Sequence, residues 1–152
     1  MSHQPVVLMM CYARSGGTVL NRCLGSLGNT IVLSEVNPIG GGWGISKENS
    51  PTTPFEQARE WYGIYLNSSD FEGSIAELYE YCCRKDLSLI IRDWSVVNFE
   101  PRYENSHDPP RRFLTYEALK RMKLPVVGFA FVRDSIDVYI SRRTPPLERF
   151  YT

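Results

Sequence analysis

A chain of 152 residues is an ordinary length for one domain and is long enough to bury a real core. Its 17 basic and 17 acidic side chains cancel, which argues against a general nucleic-acid binder or a membrane-surface protein. No apolar run is long enough to span a membrane, and residues 6 to 13 lack the basic flank and small-residue cleavage site of a signal peptide, so the cytoplasm is the expected compartment.

Val6 to Met10 is a continuous apolar run, the pattern of a strand buried on both faces of a parallel sheet. Ser15, Gly16 and Gly17 then remove side-chain bulk where a helix should begin. Unpaired N–H groups can converge there on one anion, with the positive end of the helix dipole behind them. Arg14 adds a cation and Thr18 a hydroxyl at the same turn. In the following helix Val19, Leu20, Cys23, Leu24 and Leu27 share a face, and Gly28 offers a stop. A glycine-containing turn with no ligand is the alternative.

Thr30 to Leu33 is a β-branched run, a good second strand, and it delivers Ser34 and Glu35 to its C-terminal end. The stretch from Asn37 to Pro54 is rich in Gly, Pro, Asn and Ser and reads as a lid, a binding loop or a disordered segment, with Trp43 among its glycines. Thr53 and Pro54 match an N-cap and first helical position, with Glu56 in the first turn. That helix is expected to run to about Leu66 and to carry Phe55, Trp61, Tyr62 and Tyr65 on a core-facing stripe. A second helix begins near Asp70, with Ile75, Leu78, Tyr79 and Cys82 inward.

Leu87 to Ile91 is the third strand, with Arg92, Asp93 and Trp94 at its tip. Residues 97 to 112 are again irregular and contain His107. Phe113 to Lys123 predicts a short helix, and Pro125 to Val132 another buried strand ending in Arg133, Asp134 and Ser135. A last helix places Asp137 and Ser141 one turn apart before Pro145 and Pro146 stop it.

Strands alternating with helices predict a single three-layer α/β domain over residues 1 to 152 with a mainly parallel sheet. Ligands bind at the C-terminal edge of such sheets, so Arg14, Glu35, Asp93 and Arg133 should share that edge. Cys11, Cys23, Cys82 and Cys83 show neither metal-ligand spacing nor a disulfide framework, which predicts reduced thiols, mostly in the core.

The turn with Arg14, Gly16 and Gly17 and the turn with Arg133 resemble those of the sulfotransferase family. Many members carry Arg or Lys followed by Ser-Gly-Thr-Thr at the 5′-phosphosulfate loop, matched here by Arg14-Ser15-Gly16-Gly17-Thr18 with Gly17 in place of the first Thr. Their 3′-phosphate element is a strand ending in Arg with Ser eight positions on, matched by Arg133 and Ser141 in FVRDSIDVYISRR. The resemblance implies a P-loop, nucleoside-kinase-like α/β fold, 3′-phosphoadenosine 5′-phosphosulfate as donor, and no metal. It implies that Arg14 and residues 15 to 18 hold the phosphosulfate while Arg133 and Ser141 hold the 3′-phosphate. The base is a His or a Glu in the family, and the branches most similar to RSGGTVL place a Glu about where Glu35 falls. Glu35 is therefore favoured as base over Asp93 and His107, and Trp94 stands near the position where another branch has its His. Family members run well beyond the second motif, so a chain ending at Thr152 is expected to lack the C-terminal part of the family fold.

The partners implied are a nucleotide donor and an acceptor hydroxyl or amine of unknown identity, with self-association left open. A rival is a P-loop phosphotransferase or hydrolase with Asp93 as a magnesium ligand, although no Lys precedes Thr18 as the G-x-x-x-x-G-K-[ST] pattern requires. A non-catalytic nucleotide-binding domain is the third reading.

Overall fold

The computed structural model describes residues 4–12, 15–39, 51–95, 98 and 111–143, the last three as backbone alone. Strands β1 (Val6–Cys11), β2 (Thr30–Val36), β3 (Ser88–Asp93) and β4 (Val126–Phe131) form a four-stranded sheet in the order β2-β3-β1-β4. Every pairing is parallel. Helix α1 (Gly17–Gly25) follows β1, α2 (Pro54–Tyr62) and α3 (Phe71–Lys85) lie between β2 and β3, α4 (Leu114–Arg121) precedes β4 and α5 (Ser135–Arg143) follows it.

Strand residues alternate between the two faces of the sheet, and the sequence fills both. Val6, Leu8, Ile31, Leu33, Leu89 and Ile91 pack with Ala58 of α2, Ile75, Leu78 and Cys82 of α3 and Leu119 of α4. The opposite face carries Cys11, Val32 and Arg92, and α1 lies there, with Gly17 against Cys11 and Arg92 and Gly25 facing Val32. Helices on both sides of a parallel sheet make the three-layer α/β domain that the alternation of elements predicts. Among the described residues no helix is long and apolar enough to cross a membrane.

The two edges of the sheet are treated differently. On the β2 edge, the Gln57 side-chain amide accepts from the Ser34 N–H at 2.8 Å and donates to the Ser34 carbonyl at 2.7 Å. The Tyr62 hydroxyl does the same for Val32, at 2.8 and 2.9 Å. Two side chains of α2 thus stand where another strand would pair, and burial pushes the Tyr62 phenol up, which keeps it a donor. On the other edge, β4 pairs with β1 and with no other described strand. Val127, Phe129 and Phe131 are 54%, 37% and 37% exposed, so the expectation of a buried fourth strand is corrected. A continuous apolar run is the same in a central strand and an edge strand, and only topology separates them.

Helix starts follow the sequence closely. Thr53 caps α2, accepting from the Glu56 N–H while the Glu56 carboxylate accepts from the Thr53 N–H, and Asp70 caps α3 through the Gly73 N–H. The Thr52 N–H, 2.8 Å from the same carboxylate, and then the Thr53 N–H hold the Glu56 carboxyl below its usual value. Helix ends follow it less well. Gly63 takes φ 64° and stops α2 at Tyr62, so Tyr65 falls outside the helix and is exposed, and Trp61 is exposed too. The expected aromatic core stripe reduces to Tyr62 and the partly covered Phe55. Helix α1 ends at Gly25 with Ser26 at its cap, ahead of the expected stop at Gly28, and its fully buried residue is Gly17, while Val19, Cys23 and Leu27 are exposed. Of the four free thiols, Cys11 and Cys82 are buried, Cys83 is half-buried and Cys23 is exposed. Burial pushes the Cys82 thiol up to about 12, which makes it inert.

Candidate functional site

The chain leaves β1 toward the α1 face of the sheet, whereas the chain leaving β3 delivers Leu119 of α4 to the opposite face. Neighbouring strands whose connections part to opposite faces open a crevice at their C-terminal ends, and the glycine turn after β1 lies at that crevice.

At the turn, Gly16 adopts φ 94° and ψ 7°, a left-handed conformation suited to glycine, and starts α1 without any side-chain cap or acidic residue in the first turn. The N–H groups of Gly17 and Thr18 have no helical carbonyl to bond, and no acidic side chain of the first turn offsets the dipole. Gly17 is fixed by crowding: a Cβ there would stand 2.5 Å from Cys11 Sγ and 3.1 Å from Arg92 Nε. Ser15 departs from its expected place in the cradle. It is buried, and both its N–H and its hydroxyl donate to the Tyr12 carbonyl, so it shapes the turn instead of facing a ligand.

Behind the turn lies a residue that the sequence marks only as a strand tip. The Arg92 side chain is 7% exposed, and each of its nitrogens has a partner on a different element. Nε donates to Cys11 Sγ of β1 at 3.2 Å, Nη1 to Thr18 Oγ1 of α1 at 3.3 Å, and Nη2 to Glu35 Oε1 of β2 at 2.7 Å. Glu35 reaches it because β2 slips register against β3 between Leu33 and Val36, where Glu35 takes φ 54°. That backbone conformation costs about 1–3 kcal/mol for a residue with a side chain, and a bulge of this kind re-aims the side chain it carries. Glu35 thereby meets the glycine turn through one guanidinium, with its own carboxylate half exposed.

Asp93 faces the other way and is spoken for. One carboxylate oxygen accepts from Asn37 Nδ2 at 3.2 Å and from the Thr115 hydroxyl, and the other accepts from the Ser95 hydroxyl at 2.8 Å and from Asn98 Nδ2 at 3.1 Å. All five residues are buried. Four donors fill the lone-pair sites of the carboxylate, so Asp93 ties the exits of β2 and β3 to the start of α4 and has no oxygen left to serve as base or metal ligand. Burial pushes its carboxyl up, against the lowering effect of the four hydrogen bonds.

Arg133 follows β4 on the same edge of the sheet, ion-paired to Asp137 one turn into α5 at 3.6 Å. Asp134 caps that helix, accepting from the Ile136 N–H at 2.8 Å. Phe131 lies against the turn, 3.5 Å from where a Gly16 Cβ would be. Arg133 lines an apolar cleft of about 530 Å3 with Cys11, Tyr12, Phe113, Phe131, Val138 and Tyr139. Glu35, Arg92, Gly16, Gly17 and Thr18 are thus brought together, and Arg133 shares the cleft that begins at Cys11 and Tyr12. Arg14, Trp43 and His107 lie outside the described residues, as does the side chain of Ser141, whose backbone belongs to α5. The missed signal for Arg92 was its parity: two residues beyond Ile90, it falls on the α1 face with Val32 and Cys11. No protein-family model, curated protein or solved structure matches the chain.

Proposed function

We propose that this protein is a sulfotransferase that moves the sulfuryl group of 3′-phosphoadenosine 5′-phosphosulfate to a hydroxyl or amine of an acceptor. The observation that carries the reading is that Arg133 lines an apolar cleft together with Cys11 and Tyr12, the residues that lead from β1 toward the uncapped glycine turn. A nucleoside 3′,5′-bisphosphate needs two anion sites set apart by its ribose and an apolar, aromatic-lined space beside them for its base. The amides of Gly17 and Thr18 and the Thr18 hydroxyl, with Arg14 of the same motif, take the phosphosulfate. Arg133 and Ser141 take the 3′-phosphate, where a guanidinium fork suits a dianion.

In the reaction the acceptor oxygen or nitrogen forms a bond to sulfur as its proton passes to Glu35. The bond from sulfur to the bridging phosphate oxygen breaks, and its electron pair leaves with 3′-phosphoadenosine 5′-phosphate. Negative charge grows on that bridging oxygen, and the helix start supplies positive potential beside it. The free thiols support the cytoplasm as its setting. The competing phosphotransferase reading loses its magnesium ligand, because the oxygens of Asp93 are filled by four protein donors.

Arg133→Ala separates the two anion sites. It should weaken binding of 3′-phosphoadenosine 5′-phosphate by about tenfold or more, the worth of one charge-assisted pair. Adenosine 5′-phosphosulfate, which has no 3′-phosphate, should bind within about twofold of wild type. Equal losses for both nucleotides remove Arg133 from this role.

A further inference from the structure

Glu35 and the donor turn come from different strands, and sulfuryl transfer needs the base and the donor registered against each other to a fraction of an ångström. We infer that Arg92 is the positioning residue that sets this register, holding the Glu35 carboxylate and the Thr18 hydroxyl on one guanidinium plane. This inference rests on the reading of Glu35 as the base.

The geometry is specific to arginine. Nη1 and Nη2 of one planar group point to Thr18 and Glu35, while Nε is pinned to Cys11 and the plane is wedged beside Gly17. Its side chain is almost wholly buried, so its orientation is set by packing, whereas Glu35 is half exposed and is held at its charged end by Arg92 alone among the described residues. Glu35 also sits in a strained backbone conformation beside a register slip, a placement a free surface glutamate has no reason to keep. A lysine keeps the charge and lacks the fork, so it can satisfy one partner but cannot fix the angle between two.

The test uses the full chain with water as the acceptor, following release of 3′-phosphoadenosine 5′-phosphate from the sulfated donor. Water oxygen bonds to sulfur, its proton passes to Glu35, and sulfate and the nucleotide leave as products. Glu35→Asp keeps a carboxylate but shortens its reach to Arg92, and Arg92→Lys removes the fork. Each should lower kcat by about 100-fold, the scale of a misplacement of about 1 Å, with KM for the donor and affinity for 3′-phosphoadenosine 5′-phosphate within about threefold of wild type. The double variant should be no slower than either single one, because both break one arrangement. Glu35→Asp lies at the surface and keeps the inference testable if Arg92→Lys does not fold.

Losses that multiply in the double variant, or full kcat in either single variant, overturn the positioning role. A fall in nucleotide affinity matching the fall in kcat also overturns it, since Arg92 then serves the turn and not the base. Full turnover by Glu35→Gln, by contrast, overturns the assignment of the base itself. So does a wild-type chain that binds the nucleotide and releases none from the donor above the uncatalysed rate.

Discussion

Replacing Asp93 with alanine is expected to destabilise the fold by about 3 kcal/mol or more, which lowers the melting temperature of a domain this size by roughly 10 °C. The reason is the number of groups that lose their acceptor. Asn37, Ser95, Asn98 and Thr115 all donate to Asp93 in a region closed to water. A buried donor left alone costs about 1–3 kcal/mol, and although the two hydroxyls can turn to other acceptors, the two amides have less freedom. Asp93→Asn keeps the shape and one acceptor, and should lose about half as much.

The pH dependence has a definite sign. Burial raises the Asp93 carboxyl above its ordinary value of 3.8, so the folded protein holds this proton at pH values where the unfolded chain has released it. Between those two values the folded state binds more protons, and the contribution of Asp93 to stability falls as pH rises through the window. The stability advantage of wild type over Asp93→Asn should therefore shrink from about pH 4 upward and level off once the folded carboxyl has ionised. Chemical denaturation at several pH values reads this directly, and a gap that widens with pH contradicts it.

Gly17→Ala carries the second large effect, this time on binding. The added methyl would meet Cys11 Sγ at 2.5 Å and the Arg92 guanidinium at 3.1–3.2 Å, both packed between β1 and α1. Either the thiol rotates or the arginine moves, and the second breaks contacts to Thr18 and Glu35. Overpacking of this kind costs about 1–3 kcal/mol. It should also weaken 3′-phosphoadenosine 5′-phosphate at least tenfold, because relief of the clash moves the Gly17 N–H itself, one of the two amides proposed to take the phosphosulfate. Adding Cys11→Ala removes the closest clash and should restore part of both losses. Gly17→Thr adds more bulk at the same crowded point and should do worse than Gly17→Ala. A Gly17→Ala protein that melts and binds as wild type does would show that the crowding is relieved at no cost.

The fold was legible in the sequence wherever a local signal and the tertiary structure agree. Apolar runs gave β1 and β3, the Thr53-Pro54-Glu56 and Asp70 caps gave the starts of α2 and α3, and the glycine turn lies where the break in the first run places it. Misreadings came where a residue's role depends on what lies across space. VVGFAF has the composition of a central strand but lies at an edge, while β2, with a weaker run, extends through Ser34 and Glu35 because α2 shields its edge.

The same holds for the candidate site. Glu35 could be placed near the turn from topology, yet the agent that joins them, Arg92, is a lone charge at the end of an apolar run and looks like any exposed strand tip. Asp93, its neighbour, attracts attention as a carboxylate at the right edge, but the four donors that occupy it come from four separated positions in the chain. Ser15 belongs to a phosphate-loop pattern by sequence, and its hydroxyl turns back onto Tyr12.

The central claim is that one nucleotide with phosphates at both its 3′ and 5′ positions bridges the glycine turn and Arg133. Calorimetric titration of the chain with 3′-phosphoadenosine 5′-phosphate, and separately with ATP and magnesium, tests it most directly. The account predicts single-site binding of the 3′,5′-bisphosphate at least about tenfold tighter than ATP, a difference of about 1.4 kcal/mol, with no gain from magnesium. Tighter binding of magnesium–ATP, or no binding of either nucleotide, contradicts it.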